Sequence, residues 1–408
     1  MARTAHPATV AAHARTAGEL DFSDTRDFDD AQRGFIATIP EAEIPARAGG
    51  LAWTMRSHAF LEGPRPDTVN PSLWRMARLN RIHGLFEVCP RIYQVRGFCL
   101  ANITFVEGDS GIIVIDPLTF TEHAEAALAL YRAHRGARPV KAVVYTHSHR
   151  DHYGGVRGVV SPEQVVTERI PVIAPEGFTE EAFAESMLAG VPMRRRSLYQ
   201  FGTALPGWAR GACRQRPRQG RRPRRWRRLH RADAADPLCA RAACHRRHND
   251  RVPAHARRRG TGGDEPLLPG LRALNLAENA CQTMHNLCPP RGAKTRDALA
   301  WSRYLDDALD EYVPHCDVVY AQHHWPVWGA ARIAEYVAGQ RDLYRYLHDQ
   351  TLRLMSQGRT PAEIGEELML PSTLSRQWFA RGYYGAVAHN VAAIYAHYLG
   401  PYDGHPRT

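Results

Sequence analysis

The ten residues Thr146-His147-Ser148-His149-Arg150-Asp151-His152-Tyr153-Gly154-Gly155 constrain this chain more than any other feature. They follow directly on residues 140–145, a largely apolar run with the character of a buried strand. Alternate side chains of an extended segment share a face, so His147 and His149 point to one side. A turn after them swings Asp151 and His152 to a neighbouring point, and one loop thereby offers ligands to two metal ions. Mixed imidazole and carboxylate donors suit Zn2+ first, with Fe and Mn as the other candidates. Gly154 and Gly155 let the backbone pass close behind such a site. The plainer alternative is chance clustering, or a structural zinc, in a chain with 21 histidines. Four potential ligands at alternate and adjacent positions after a buried strand argue against it.

The surroundings read as a layered α/β core. Residues 91–95, 100–107 and 111–115 are β-branched and apolar runs separated by glycine, with Gly108-Asp109-Ser110-Gly111 as a turn. A helix over 121–134 precedes the strand at 140–145, and a short strand follows at 171–174. Residues 1–80 form an N-terminal extension expected to pack on this core, ending in an amphipathic helix over 71–85. After residue 270 the spacing predicts helices over 295–310, 329–357 and 382–399, and Thr360-Pro361-Ala362-Glu363 is a capping box opening another. With 408 residues the chain has room for two or three domains. No run of 18 apolar residues is present to span a membrane, and no secretory leader is visible, so a cytoplasmic location is expected. Eight cysteines without a CxxC pair fit reduced thiols.

The net charge of +11 belongs to one segment. Residues 208–260 hold 18 Arg, no Lys and three acidic residues, a local balance of +15 that leaves the remainder at −4. That segment has no apolar period of either regular structure and cannot bury a face.

The His-rich loop after a strand resembles the metallo-β-lactamase superfamily, and longer stretches resemble the alkylsulfatases within it. These are residues 79–86, 92–97, 115–119, 277–280 (Ala277-Glu278-Asn279-Ala280), 284–287, 291–293, 296–298 and 323–329 (His323-His324-Trp325-Pro326-Val327-Trp328-Gly329). The resemblance implies an αβ/βα sandwich over 81–328 followed by an all-helical dimerisation-type domain over 329–408, cut short before a third domain. It implies a binuclear zinc site of His147, His149, Asp151, His152, Glu278 and His323, with His324 outside the ligand set. Glu278 follows an apolar, strand-like stretch, and a carboxylate between two cations can bridge them. It further implies an anion pocket of Asn286, Arg291 and Arg296, with His285 as a donor or general acid beside the ester oxygen, since a sulfate ester calls for an arginine fork and neutral donors.

One ligand of the resembled family is missing. A second glutamate belongs 19 residues before Glu278, where this chain has Arg259, and a guanidinium cannot bind a cation. Read one base later in GC-rich codons, residues 255–269 can encode Thr-Pro-Gly-Asp-Glu-Ala-Pro-Ala-Glu-Met-Asn-Leu-Tyr-Phe-Pro, the absent element. Residues 211–220 obey the same offset. Residues 207–269 therefore read as the product of two compensating frameshifts, with a genuine nucleic-acid-binding insert as the alternative. Resequencing that finds the segment intact and in frame would remove the frameshift.

The expected function is hydrolysis of an alkyl sulfate ester by a zinc-dependent homodimer, weakened or lost with the missing carboxylate. Asp151 is expected to orient the nucleophilic water as well as to bind metal. No nucleic-acid partner is expected. The rivals are a thioesterase or lactonase of the same fold, a nuclease gripping its substrate with the Arg-rich segment, and a metal-poor remnant that only associates.

Overall fold

The computed structural model describes residues 4–202 and 267–400. The Arg-rich segment and Arg259 lie outside the described residues. Thirteen strands occur among those described: β1 Phe35–Ala37, β2 Ile44–Pro45, β3 Leu51–Trp53, β4 Gly84–Cys89, β5 Ile92–Arg96, β6 Ile103–Glu107, β7 Ile112–Ile115, β8 Val140–Val144, β9 Val172–Ile173, β10 Leu267–Leu268, β11 Ala273–Asn275, β12 Val318–Tyr320 and β13 Val327–Trp328. They form a sheet of order β1-β4-β5-β6-β7-β8-β9, a second of order β10-β11-β12-β13, and the small pair β2-β3.

Two faces of the same strands explain the layering. Along β5, Tyr93 and Val95 join the core shared with Ala124, Ala127 and Tyr131 of the helix Thr121–Arg135. Ile92 points the other way and meets Ala273, Val318 and Tyr320 of the second sheet. The outer face of that second sheet packs on the helices Ala298–Glu311 and Ala330–Met355 through Leu274, Val319, Trp301, Leu305, Ile333 and Val337. The result is the expected αβ/βα sandwich. Every residue of β5 and β6 is buried, as strands covered on both faces must be.

The expected strands and helices are present with ends shifted by a few residues. The capping box at Thr360 forms in full, the Thr360 hydroxyl accepting from the Glu363 amide while the Glu363 carboxylate accepts from the Thr360 amide. One expectation needs correction. The helix expected over 71–85 stops at Leu79, and the chain enters β4 at Gly84, whose φ of +140° few side chains tolerate. A Cβ at that glycine would lie 2.5 Å from the Ala37 carbonyl of β1. Leu85 was therefore counted in a helical period although it belongs to the alternation of a strand. The N-terminal extension also does more than pack on the core, because β1 pairs antiparallel with β4 and forms an edge of the large sheet.

Strands β7 and β8 run parallel, as do β11 and β12. The loops leaving the carboxyl ends of these four strands carry Asp116, residues 146–152, Glu278 and His323, which brings segments far apart in sequence to one rim of the sandwich.

Candidate metal centre

The backbone of this rim is held in conformations side chains seldom adopt. Asp116 (φ 53°), Leu118 (φ 62°), Ala277 (φ 48°) and His324 (φ 63°) all lie in the left-handed region, and all flank the cluster. Such strain persists only where the surroundings over-determine it. Here the Ala277 amide donates to Asn275 Oδ1 at 2.8 Å, and Asn102 Nδ2 donates to the His324 carbonyl at 2.9 Å. Behind the His-rich loop, a Cβ on Gly155 would meet the Pro117 carbonyl at 2.2 Å, and one on Gly154 the Thr119 carbonyl at 2.5 Å. The two glycines give the loop after β7 the space to pass, as expected.

Glu278 sits at the middle of the cluster. Its Oε1 lies 3.0 Å from His152 Nε2 and 2.7 Å from His323 Nε2. Its Oε2 lies 3.1 Å from His285 Nε2, 3.5 Å from His147 Nε2 and 3.8 Å from His149 Nδ1. Asp151 Oδ2 completes the first side, 3.6 Å from His152 Nε2 and 3.8 Å from His323 Nε2. Among the described residues three overlapping groups of donor atoms result, each with its members within 4.8 Å of one another: Asp151, His152, Glu278 and His323; His147, His149 and Glu278; and, behind these, Asp116, His147 and His152.

The donor chemistry fits cations. His323 Nδ1 donates to the Leu100 carbonyl at 3.0 Å, His285 Nδ1 to the Asn286 carbonyl at 2.8 Å and His152 Nδ1 to Asp116 Oδ2 at 2.7 Å. Carbonyls and carboxylates only accept, so each neutral ring is left with a bare Nε2 lone pair. All three lone pairs face the Glu278 carboxylate, which also only accepts. His147 is oriented in a similar way: the Thr146 hydroxyl donates to Asp116 Oδ2 at 2.6 Å and accepts from His147 Nδ1 at 3.0 Å, which leaves His147 Nε2 to accept from His149 Nδ1 at 2.8 Å. Acceptors facing acceptors at 3 Å are reconciled only by protons or by metal ions between them.

Burial opposes charge on His152, yet Asp151 and Asp116 hold its imidazole protonated well above the usual range. Burial would raise the Glu278 carboxyl, but the imidazoles gathered around it hold it well below the usual range. Burial pushes His147 far down.

An arginine pair borders the same cluster. Arg296, almost fully buried, donates through Nη1 to both the backbone and side-chain oxygens of Asn286 at 3.1 Å, while its Nη2 lies 3.3 Å from His149 Nε2. The Asn286 side-chain nitrogen is buried with no acceptor among the described residues. Arg291 Nη1 donates to Glu185 Oε2 at 3.4 Å, and Glu185 Oε1 lies 3.6 Å from His149 Nε2.

Residues 96–239 match the metallo-β-lactamase superfamily, and residues 360–408 match the alkyl sulfatase dimerisation family. The chain thus carries a metallo-β-lactamase domain followed by a region of the alkyl sulfatase dimerisation type. It is 43% identical over 429 residues to an alkyl/aryl-sulfatase of Saccharomyces cerevisiae, covering all of this chain and 63% of that protein. It is also 43% identical to an (R)-specific secondary-alkylsulfatase of a Pseudomonas species, covering 98% of this chain and 60% of the relative. The chain thus spans about three fifths of the length of these curated relatives. A solved stereoselective inverting sec-alkylsulfatase from a Pseudomonas species superposes with a TM-score of 0.88 at 40% identity, over 100% of this chain and 64% of that one.

In this metallo-β-lactamase rim, every candidate ligand singled out in the sequence lies in one cluster, with His285, Asn286 and Arg296 touching it. Arg291 stands one residue further out, reaching the cluster through Glu185. Two members were not assigned from sequence. Asp116, fully buried, ties Thr146 to His152; its stretch was noted, but an Asp before a Pro signals no role by itself. Glu185 comes from an irregular helical turn, Ala184–Leu188, where a lone acidic residue carries no signal at all.

Proposed function

We propose that this chain is a metal-dependent hydrolase of alkyl sulfate esters, releasing alcohol and sulfate and working as a homodimer. The observation that carries the reading is the Arg296–Asn286 pair, a buried guanidinium and an amide donor without an acceptor among the described residues, set against the same His149 that faces the carboxylate of Glu278. A site built only for a neutral ester or lactone has no call for a buried fixed cation beside the reacting centre. The names of the relatives, and the match to the dimerisation family, support the same reading.

His147, His149 and Glu278 Oε2 would hold one zinc ion; Asp151, His152, His323 and Glu278 Oε1 would hold the other. Bound there, the pair would activate a water and screen the charge of the ester. Asp151 can also orient that water. Arg296 and Asn286 donate to the sulfate oxygens, with Arg291 on the outer side. His285 has Nδ1 fixed on the Asn286 carbonyl, which directs Nε2 at the centre; once protonated there, the ring can pass that proton to the leaving oxygen.

The test is zinc loading followed by a substrate panel. Hydrolysis of primary or secondary alkyl sulfates, lost on chelation, is the expected result; turnover of thioesters or lactones alone would reject it. Because Arg259 stands where the resembled family has a further glutamate, weak turnover is expected, and two zinc equivalents with brisk dodecyl sulfate hydrolysis would overturn that part. Water labelled with oxygen-18 shows whether the C–O or the S–O bond breaks, by label in the alcohol or in the sulfate.

A further inference from the structure

Residues 281–287 carry His285 and Asn286 to the centre, yet they lie in no strand. Their backbone is hydrogen-bonded to the helical C-terminal region instead. Gln340 Nε2 donates to the Cys281 carbonyl at 2.6 Å, and the Met284 amide donates to the Arg381 carbonyl at 3.0 Å. The Gly385 amide returns a bond to the Met284 carbonyl at 2.9 Å, and the Tyr344 hydroxyl accepts from the His285 amide at 3.0 Å.

The most specific contact is made by Asn390, fully buried in the helix Val387–Leu399. Its Nδ2 donates to the His285 carbonyl at 2.9 Å and its Oδ1 accepts from the Leu287 amide at 2.9 Å. One amide thus clamps the backbone on both sides of Asn286. Asparagine offers one donor end and one acceptor end at this reach; aspartate offers acceptors only. Alongside it, a Cβ on Gly385 would stand 2.4 Å from the His285 carbonyl oxygen, so the strip is pressed against the helical region with no slack.

We propose that Asn390 is a positioning residue for the anion pocket, which makes the helical region matched to the dimerisation family a working part of the active site and not only an association surface. The inference rests on the sulfate-ester reading. It acts through His285 and Asn286: loss of the clamp lets the strip shift, and a shift of about 1 Å misplaces donors that work only in register.

The experiment compares the parent with Asn390→Asp, Asn390→Ala, Gly385→Ala and Tyr346→Phe. The last removes a hydroxyl that bonds the Met369 carbonyl elsewhere in the helical region. Inorganic sulfate binding is read by calorimetry, alongside KM and kcat for an alkyl sulfate, bound zinc, and mass by light scattering. The expected result is sulfate binding weakened about tenfold or more in the Asn390 and Gly385 variants: Asn390→Ala loses both clamp bonds, Asn390→Asp sets an acceptor against the His285 carbonyl, and Gly385→Ala pushes on that carbonyl. KM should rise more than kcat falls, bound zinc and mass should be unchanged, and Tyr346→Phe should match the parent. Asn390→Asp keeps shape and volume, so it reports on the clamp even if the alanine variant does not fold. Sulfate binding at the parent's level in Asn390→Asp overturns the proposal, as does a loss that tracks zinc or mass. A parent that neither binds sulfate nor turns over an alkyl sulfate overturns the sulfate-ester reading itself, and this inference with it.

Discussion

Asp116 and His152 share a 2.7 Å hydrogen bond between Oδ2 and Nδ1, with both side chains wholly withdrawn from solvent. The same carboxylate accepts from the Thr146 amide at 2.8 Å and from its hydroxyl at 2.6 Å. Asp116 therefore selects the tautomer that presents His152 Nε2 to the centre, and through Thr146 it selects that of His147. In Asp116→Asn, an amide nitrogen facing either donor would break this order. The expected cost is about 10–100-fold in metal affinity, measured by competition with a chromogenic chelator.

Among the described residues, Glu278 is the carboxylate shared by the Asp151–His152–His323 and His147–His149 groups. Glu278→Gln keeps the size but removes the charge that would face both cations. Bound zinc should fall to at most one equivalent, with hydrolysis down by about two orders of magnitude or more. Elemental analysis showing full loading in the variant would sink the bridging role.

Arg296 uses a single guanidinium nitrogen for two contacts to Asn286 and a second for His149. A lysine cannot reproduce that planar fork. Arg296→Lys should weaken sulfate binding by about tenfold or more although the charge is kept, as read by product inhibition. Equal inhibition constants would mean that charge alone suffices.

Glu107 offers a pH test away from the centre. Burial tends to raise its carboxyl, but Arg135 and the Tyr131 hydroxyl, which donates at 2.8 Å, hold it below the ordinary range. A depressed folded value contributes stability at higher pH, lost as pH falls below the unfolded value of about 4.3 and through the folded one. Glu107→Gln should therefore be less stable than the parent at neutral pH and converge with it in acid, as followed by urea midpoints from pH 7 to pH 3.

Gly155 tests the space behind the loop. A Cβ there would press on the Pro117 carbonyl at 2.2 Å, so Gly155→Ala should lower stability by about 1–3 kcal/mol. Chemical denaturation of the metal-free protein reads this without interference from metal binding.

Much of this molecule was legible as local pattern. An apolar run ending in alternate histidines announces a strand and its ligand loop, because side-chain direction in extended chain alternates whatever the rest of the protein does. Thr360 and Glu363 announce a helix start for a similar reason, since both partners of the capping box lie within one turn. The same local logic misread residues 80–85, where apolar spacing suited a helix but Gly84 against β1 demanded a strand. Ligands distant in sequence, Glu278 and His323, could be named only by resemblance, since a single Glu or His has no local signature.

What lay beyond the sequence were the relationships that need two elements in contact. Asp116 matters because β7 and β8 run parallel and end side by side, and that pairing sets its carboxylate against Thr146 and His152. Glu185 and Asn390 matter because separate helices close on the rim, and their partners are backbone atoms and rings some hundred residues or more away in one case and tens in the other. The candidate ligands of the His-rich loop follow from residue chemistry and short spacing, so the chain alone pointed to them. Which hydrogen bond orients each ligand is a property of packing, so only the folded arrangement decided it.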